Sequence, residues 1–410
     1  MTEAAPRPKR VLVHVGAPKT GTSFVQDVLW LNRELLAEQG ILYPADRFDE
    51  HFLAALDLLE LQWGGLENQA VGAWDRLATR VREWDGTVVV SHEILATASR
   101  PQVRRALESF GDAEVHVVLS ARDLVRQIPA EWQENVKHRR TLGYGDFLDR
   151  ITDPERAGEL ASWFWGVQEV PDILDRWAAS IPRDRVHLVT VPPPGAPPGL
   201  LWERYSRAFG LDDVDGLELD LAVERANPSL GVPETALVRR INRAANRVLD
   251  PPDYRPLVRE LLAHQTLSRR TSSPRLQLPP RLYPWAAELA RSWVEEIQTR
   301  GYDVVGDVSD LLGAPPDGAY ADPDAPRERA VAGAAVDAIK ALLLENARLR
   351  EGEERLAREL HETRESLNRA YLRPSYLRRE RLVRGLESTS AGRVAMRLYR
   401  RARGRSSRSA

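Results

Sequence analysis

The chain contains no cysteine, which excludes a disulfide scaffold, a thiolate metal site and a cysteine nucleophile. Lysine is nearly missing too: four Lys stand against 54 Arg. With the abundant Ala and Pro, that ratio reads as the codon bias of a GC-rich genome. No stretch approaches the roughly 18 apolar residues of a membrane-spanning helix. No apolar segment precedes the strand-like VLVHV run that follows Lys9-Arg10, which argues against secretion. An overall excess of one charge sign is also lacking, since 58 basic residues face 60 acidic ones. A uniformly basic nucleic-acid binder would not look like this. The expectation is a soluble cytoplasmic protein with no nucleic acid among its partners.

What is present is length and apolar content. The 410 residues, 43% of them hydrophobic, suffice for two or three folding units and at least one full-sized core. Residues 10–200 alternate β-rich runs with helical stretches. The runs are 11–15, 87–91, 115–120 and 185–191, with a weaker one at 41–43, and they are nearly continuous in Val, Ile and Leu. Such runs suit parallel strands covered on both faces. Residues 22–38 carry Phe24, Val25, Val28, Leu29, Leu35 and Leu36 at helical spacing, with Gly40 as a stop. The expected fold is a P-loop-like, three-layer α/β/α domain with a central parallel sheet, over residues 1–312. Its part at 199–312 reads as mostly helical, on the acceptor side of the site. Ligands in such sheets bind at the carboxyl ends of the strands.

Residues 313–332 are rich in Pro, Gly, Ala and Asp and read as a linker. A heptad follows within a coiled-coil helix at 333–371. With Ile339 at a, the a positions are Ile339, Asn346, Glu353, Leu360 and Leu367, and the d positions Leu342, Leu349, Leu356, Thr363 and Ala370. An Asn at a fixes register and favours two strands, so residues 339–370 are a candidate homodimer contact. From Tyr371 to Ala410 twelve Arg stand against Glu380 and Glu387, so this tail carries about +10 and the rest about −12. The tail, 372–410, is a candidate contact for an anionic membrane surface or an acidic partner, making a peripheral membrane location an alternative to a purely cytoplasmic one.

The strongest chemical signal is Gly16-Ala17-Pro18-Lys19-Thr20-Gly21-Thr22-Ser23, between the first strand and the first long helix. A Gly-rich strand-to-helix turn points N–H groups and the positive end of the helix at a bound phosphate. Gly21 admits close approach, Lys19 adds a charge, and Thr20, Thr22 and Ser23 add hydroxyls. The nucleotide-triphosphate loop has its Lys directly after the second Gly. Here Thr22 fills that slot, and the Lys lies two residues before Gly21.

At these residues the sequence resembles the sulfotransferase superfamily, whose 5′-phosphosulfate loop reads P-K-[ST]-G-T-[ST], like Pro18, Lys19, Thr20, Gly21, Thr22 and Ser23 here. The resemblance covers about residues 10–310. It implies 3′-phosphoadenosine 5′-phosphosulfate (PAPS) as donor, a hydroxyl-bearing acceptor such as a glycan, lipid or small metabolite, and no metal. It also implies that Lys19 binds the phosphosulfate and stabilises the oxygen that leaves. The family holds the donor's 3′-phosphate with an Arg at a strand end and a Ser eight residues on. Arg122 matches, but position 130 is Ala, so Arg126, one turn after Arg122, becomes a candidate substitute, with Gln127 and Gln133 near. The segment from Arg225 to Gly231, with Asn227 and Ser229, resembles a late loop that many bacterial members carry near the nucleotide.

The acceptor's proton needs a base at a strand end. The run 87–91 is followed by His92-Glu93, and the family employs either residue type at this place. Both stay candidates, with Glu93 preferred. Trp132, Gln133 and Glu134, then Lys137, His138, Arg139 and Arg140, line the next two turns after Arg122; they face the donor or the acceptor, or else form a solvated basic helix end. Trp163, Trp165 and Trp177 read as core packing. Two rivals remain: a P-loop kinase or NTPase, and a non-catalytic nucleotide-binding scaffold that acts through the coiled coil.

Overall fold

A computed structural model describes residues 9–222, 229–372, 374–389, 391 and 393–395. Six strands form one sheet: β1 (Arg10–His14), β2 (Ile41–Leu42), β3 (Thr87–Ser91), β4 (Glu114–Ala121), β5 (Val186–Thr190) and β6 (Asp303–Val305). The order is β2-β3-β1-β4-β5-β6, and every pairing is parallel. In the centre Val13 of β1 lies opposite Val90 on one side and Val117 on the other. The α/β class expected from the alternating pattern is what the chain adopts.

The apolar runs are continuous because both faces of the sheet are covered. Leu12, Val89, Val118, Val189 and Val305 join a buried cluster with Val25 and Leu29 of the first helix and Tyr205 and Phe209 of helix Leu200–Phe209. The alternate positions Val11, Val13, Val88, Val90, Val117 and Leu119 point the other way and are buried as well. Fully burying one such side chain is worth about 1.5–3 kcal/mol, so these central strands anchor the unit.

Two boundaries differ from the pattern. The helix expected over 22–38 breaks at Asn32 into Thr22–Leu31 and Arg33–Glu38. The Asn32 side chain donates to the carbonyls of Val28 and Asp220, each at 2.8 Å, and accepts from the Asp220 N–H at 2.8 Å. A short amide that bonds the backbone locally competes with the helix ladder. Strand β6 is three residues long and was not legible in the periodicity. Trp177 and Trp165 are buried, with their indoles donating to the carbonyls of Leu95 and Ile151 at 3.0 Å.

The chain divides into two compact units, Met1–Ala338 and Ile339–Ala410. Residues 313–327 belong to the first. There Asp324 accepts from the N–H groups of Tyr144 (3.0 Å) and Gly145 (2.8 Å) at the start of helix Tyr144–Thr152, and pairs with Arg239. The unit boundary falls inside helix Glu328–Leu372, which is followed by helix Pro374–Glu387. Among the described residues no helix is long and apolar enough to cross a membrane.

Candidate functional site

The loop from Gly16 to Ser23 leaves the C-terminal end of β1, at the middle of the sheet. Its backbone is tied to β4: Ala17 N–H donates to the Ser120 carbonyl (2.8 Å), and Ser120 Oγ donates to the Gly16 carbonyl (2.7 Å). Thr20 Oγ1 donates to the Ala17 carbonyl (2.6 Å) and lies 2.5 Å from Ser120 Oγ. Thr20 therefore faces inward and shapes the loop. Lys19 sits at φ +65°, a left-handed conformation costly for a residue with a Cβ, and Gly21 at φ +94°. A Cβ on Gly21 would lie 2.7 Å from Leu201 Cδ2. Gly21 is the N-cap of helix Thr22–Leu31, and among the described residues no side chain caps that first turn. Thr22 is buried and Ser23 is exposed. Pro18 contributes its carbonyl, which accepts from Gln127 Nε2 at 2.5 Å.

Helix Leu124–Lys137 begins just beyond β4 and brings the charged groups. Arg122 Nη1 donates to the Lys19 carbonyl at 3.2 Å, while its Nε is shielded from solvent and has no hydrogen-bond partner among the described residues. Burial, with help from Arg126 and against Asp123, lowers its pKa to about 10. Arg126 turns elsewhere: it pairs with Asp123 and donates to the carbonyls of Pro192 (2.9 Å) and Val191 (3.4 Å). Gln133 brackets Leu230, accepting from its N–H at 3.0 Å and donating to its carbonyl at 2.9 Å. Ser229, beside it, is exposed, and Asn227 lies outside the described residues.

Glu134 is the hub of the site. It pairs with Lys19 Nζ at 2.8 Å, His138 Nε2 at 3.1 Å, Arg259 Nη2 at 3.2 Å and Lys137 Nζ at 3.9 Å. Burial pushes its pKa up, but Lys19, His138 and Lys137 outweigh that and hold it well below the carboxylate range. Lys137, only 1% exposed, is lowered to about 8 by burial, against Glu134 and with Lys19 and Arg259 adding their repulsion. Glu131, one turn earlier, is raised to about 7 by burial, against Lys19 and with Glu134 and Glu93 contributing. Arg259 comes from Arg255–Thr266, a π-helical stretch of twelve residues.

On the β3 side, Glu93 accepts from Gln26 Nε2 at 2.9 Å. Burial raises its pKa, but His92, Gln26, its own backbone and His14 together bring it below the usual value. The His92 ring stacks on Phe52 at 5.0 Å, and its Nδ1 accepts from Ile94 N–H at 3.3 Å. Burial lowers its pKa against the pull of Glu93. Between β1, β3 and β4 lies His14, buried, with Nδ1 2.8 Å from Ser91 Oγ and Nε2 3.4 Å from Ser120 Oγ.

The structure thus brings Lys19, Arg122, Thr22, Ser23 and Glu93 to one end of the sheet. His14, Gln26, Ser120, Glu131 and Arg259 also belong there and were not singled out from sequence. For His14 and Ser120 a signal existed, since both sit at strand C-termini; Arg259 had none. An arrangement of two cations, an uncapped helix turn and an ionised carboxylate can hold an anionic phosphoryl or sulfuryl group and accept a proton beside it. Compared with known proteins, the chain matches no family model, no curated protein and no solved structure. The site is therefore read from its own geometry.

Proposed function

We propose that the chain is a PAPS-dependent sulfotransferase with a P-loop-like donor turn, acting on a hydroxyl or amine of a glycan, lipid or small metabolite. The observation that supports this most is the convergence of Lys19, the first turn of helix 22–31 with its glycine N-cap, and the shielded Nε of Arg122, which has no hydrogen-bond partner among the described residues. Two cations and a set of N–H and hydroxyl donors fit a donor that carries anionic phosphates at both ends. When bound, that donor supplies the activated sulfuryl group.

The chain's own residues then have distinct tasks. Lys19 exchanges Glu134 for the donor's anion. His138, Lys137 and Arg259 remain with Glu134, so the exchange strands no buried charge. Glu93, ionised at neutral pH and oriented by Gln26, accepts the acceptor's proton. His92 is the second candidate for that role, kept neutral by burial. Ala130 supplies no hydroxyl for the 3′-phosphate, and Arg126 is engaged by Asp123, which leaves Arg122 as the principal contact there.

A second reading, nucleotide binding without turnover, is favoured by one observation: Glu134 already holds Lys19. Calorimetric titration with the desulfated product, 3′-phosphoadenosine 5′-phosphate (PAP), tests the donor site, with ATP plus Mg²⁺ as control. Lys19→Ala should cost about 1.5–3 kcal/mol, roughly 10- to 150-fold in affinity. Preference for ATP with a Mg²⁺ requirement would transfer the assignment to a kinase or NTPase. Tight PAP binding with no turnover on any hydroxyl acceptor would favour the scaffold reading.

The same proposal treats residues 339–370 as a coiled-coil segment and the Arg-rich tail as a peripheral contact for an anionic membrane or acidic partner. Unchanged co-sedimentation with anionic vesicles after removal of 371–410 would end the membrane part of it.

A further inference from the structure

The second unit leaves an apolar stripe uncovered. Ile339, Leu342, Leu349, Leu356, Leu360 and Leu367 lie at a and d positions of one helix and are 40–62% exposed. Water-facing Leu at a strict 3.5-residue repeat is the seam of a coiled coil, and the positions flanking the seam decide what covers it.

We propose that this stripe is covered by a second copy of the chain, parallel and in register. In a parallel pair each g residue meets the e residue five positions on in its partner. Here Glu345 meets Arg350 and Glu359 meets Arg364, each twice by symmetry, giving four attractive contacts. The remaining contacts of this kind within the second unit, Gly352 with Ala357 and Ser366 with Tyr371, set no like charges together. Asn346 meets Asn346, satisfying each amide. The antiparallel alignment that keeps Leu342 on Leu367 and Leu349 on Leu360 loses all four contacts. It sets Glu345 beside Ser366, Glu359 beside Gly352, Arg350 beside Ala357 and Arg364 beside Leu343. One layer opposes the parallel pair: Glu353 faces its own copy at an a position, which marks the weakest point of the seam. Parallel pairing also brings both copies of residue 372 to the same end, so the two Arg-rich segments start side by side.

The inference is independent of the sulfotransferase reading, and the lack of cysteine makes its test clean. Single-cysteine variants Leu342→Cys and Leu349→Cys of the full chain are oxidised separately, and wild-type mass is measured by light scattering. The expected result is a wild-type dimer, with each variant forming a disulfide-linked dimer by itself. A second expected result is that Glu353→Leu lowers the dimer dissociation constant at least tenfold. A monomeric wild type overturns the proposal. So does cross-linking only when Leu349→Cys is mixed with Leu360→Cys, which would mean an antiparallel pair.

Discussion

The two ends of the one sheet carry the same residue types and use them in opposite ways. At the N-terminal end of the strands, Glu114, His116, His187 and Asp303 form an unbroken linear chain. His116 Nε2 lies 2.9 Å from Glu114, His116 Nδ1 lies 2.9 Å from His187 Nε2, and His187 Nδ1 lies 2.7 Å from Asp303. Every ring nitrogen has a partner. At the C-terminal end the cations gather instead: Lys19, Lys137 and Arg259 share Glu134, and among the described residues Arg122 Nε and Arg259 Nε are shielded without a hydrogen-bond partner, as Arg10 Nε is at the other end. Histidines and carboxylates alone do not mark a site. Several cations gathered on one carboxylate do, at the end where a parallel sheet presents its ligands.

The largest expected effect comes from removing the carboxylate on which the open end depends. Glu134→Gln leaves Lys137 and its neighbours with less compensation in a shielded place, and breaking a buried pair in that way should cost about 3–5 kcal/mol. Urea unfolding measures it. Added sulfate should then restore more stability to the variant than to the wild type, because an anion can replace the lost charge. Equal response of the two proteins to sulfate would mean the cations are satisfied without Glu134, and the contrast between the ends would dissolve.

The next effect separates the ends by pH. His14 is lowered to about 4, by burial first, against Glu93, with His92 adding and the Gly16 backbone opposing. Between about pH 6.5 and 4 the unfolded chain takes up a proton at this position and the folded chain does not. Stability contributed by the neutral ring is therefore present above that window and lost as pH falls through it, by about 3 kcal/mol. His51, lowered to about 3 chiefly by burial, acts in the same direction, so the difference between wild type and His14→Gln is the quantity to follow. His14→Gln should flatten part of the acid arm. An unchanged acid arm would show that His14 is not the buried neutral group responsible.

Much of the fold was legible in the sequence because the strands are buried on both faces and read as unbroken runs of Val, Ile and Leu. Strand β6 was not, since three residues beside Gly306 carry no period. The helix break at Asn32 was hidden because it depends on Asp220, 188 residues away. At the site, the loop from Gly16 to Ser23 announced itself through Gly and Lys spacing. Glu134 was visible only as one of several polar residues near Arg122, because its partners Lys19 and Arg259 come from distant segments. Arg126 shows the reverse case: its helical spacing from Arg122 placed it nearby, but Asp123 takes its guanidinium. Sequence spacing fixes which turn a side chain leaves from, and long-range pairing decides where it goes.

The smallest effect belongs to the closed end, and it is the control the comparison requires. Burial lowers the pKa of His116, against its hydrogen bond with Glu114 and with His187 and Arg10 adding. Arg10, 3.5 Å from Glu114, and Arg185, at 3.0 Å, face the same cluster and draw on the Glu114 charge. Because Asp303 and His187 are partly solvent-facing, water can replace what a substitution removes. His187→Gln should thus cost only about 1 kcal/mol. Its PAP affinity should equal that of the wild type within error, while Arg122→Ala, at the other end of β4, should lose tenfold or more. If His187→Gln weakened PAP binding as much as Arg122→Ala, the two ends would be coupled through the sheet and could no longer be treated as separate devices.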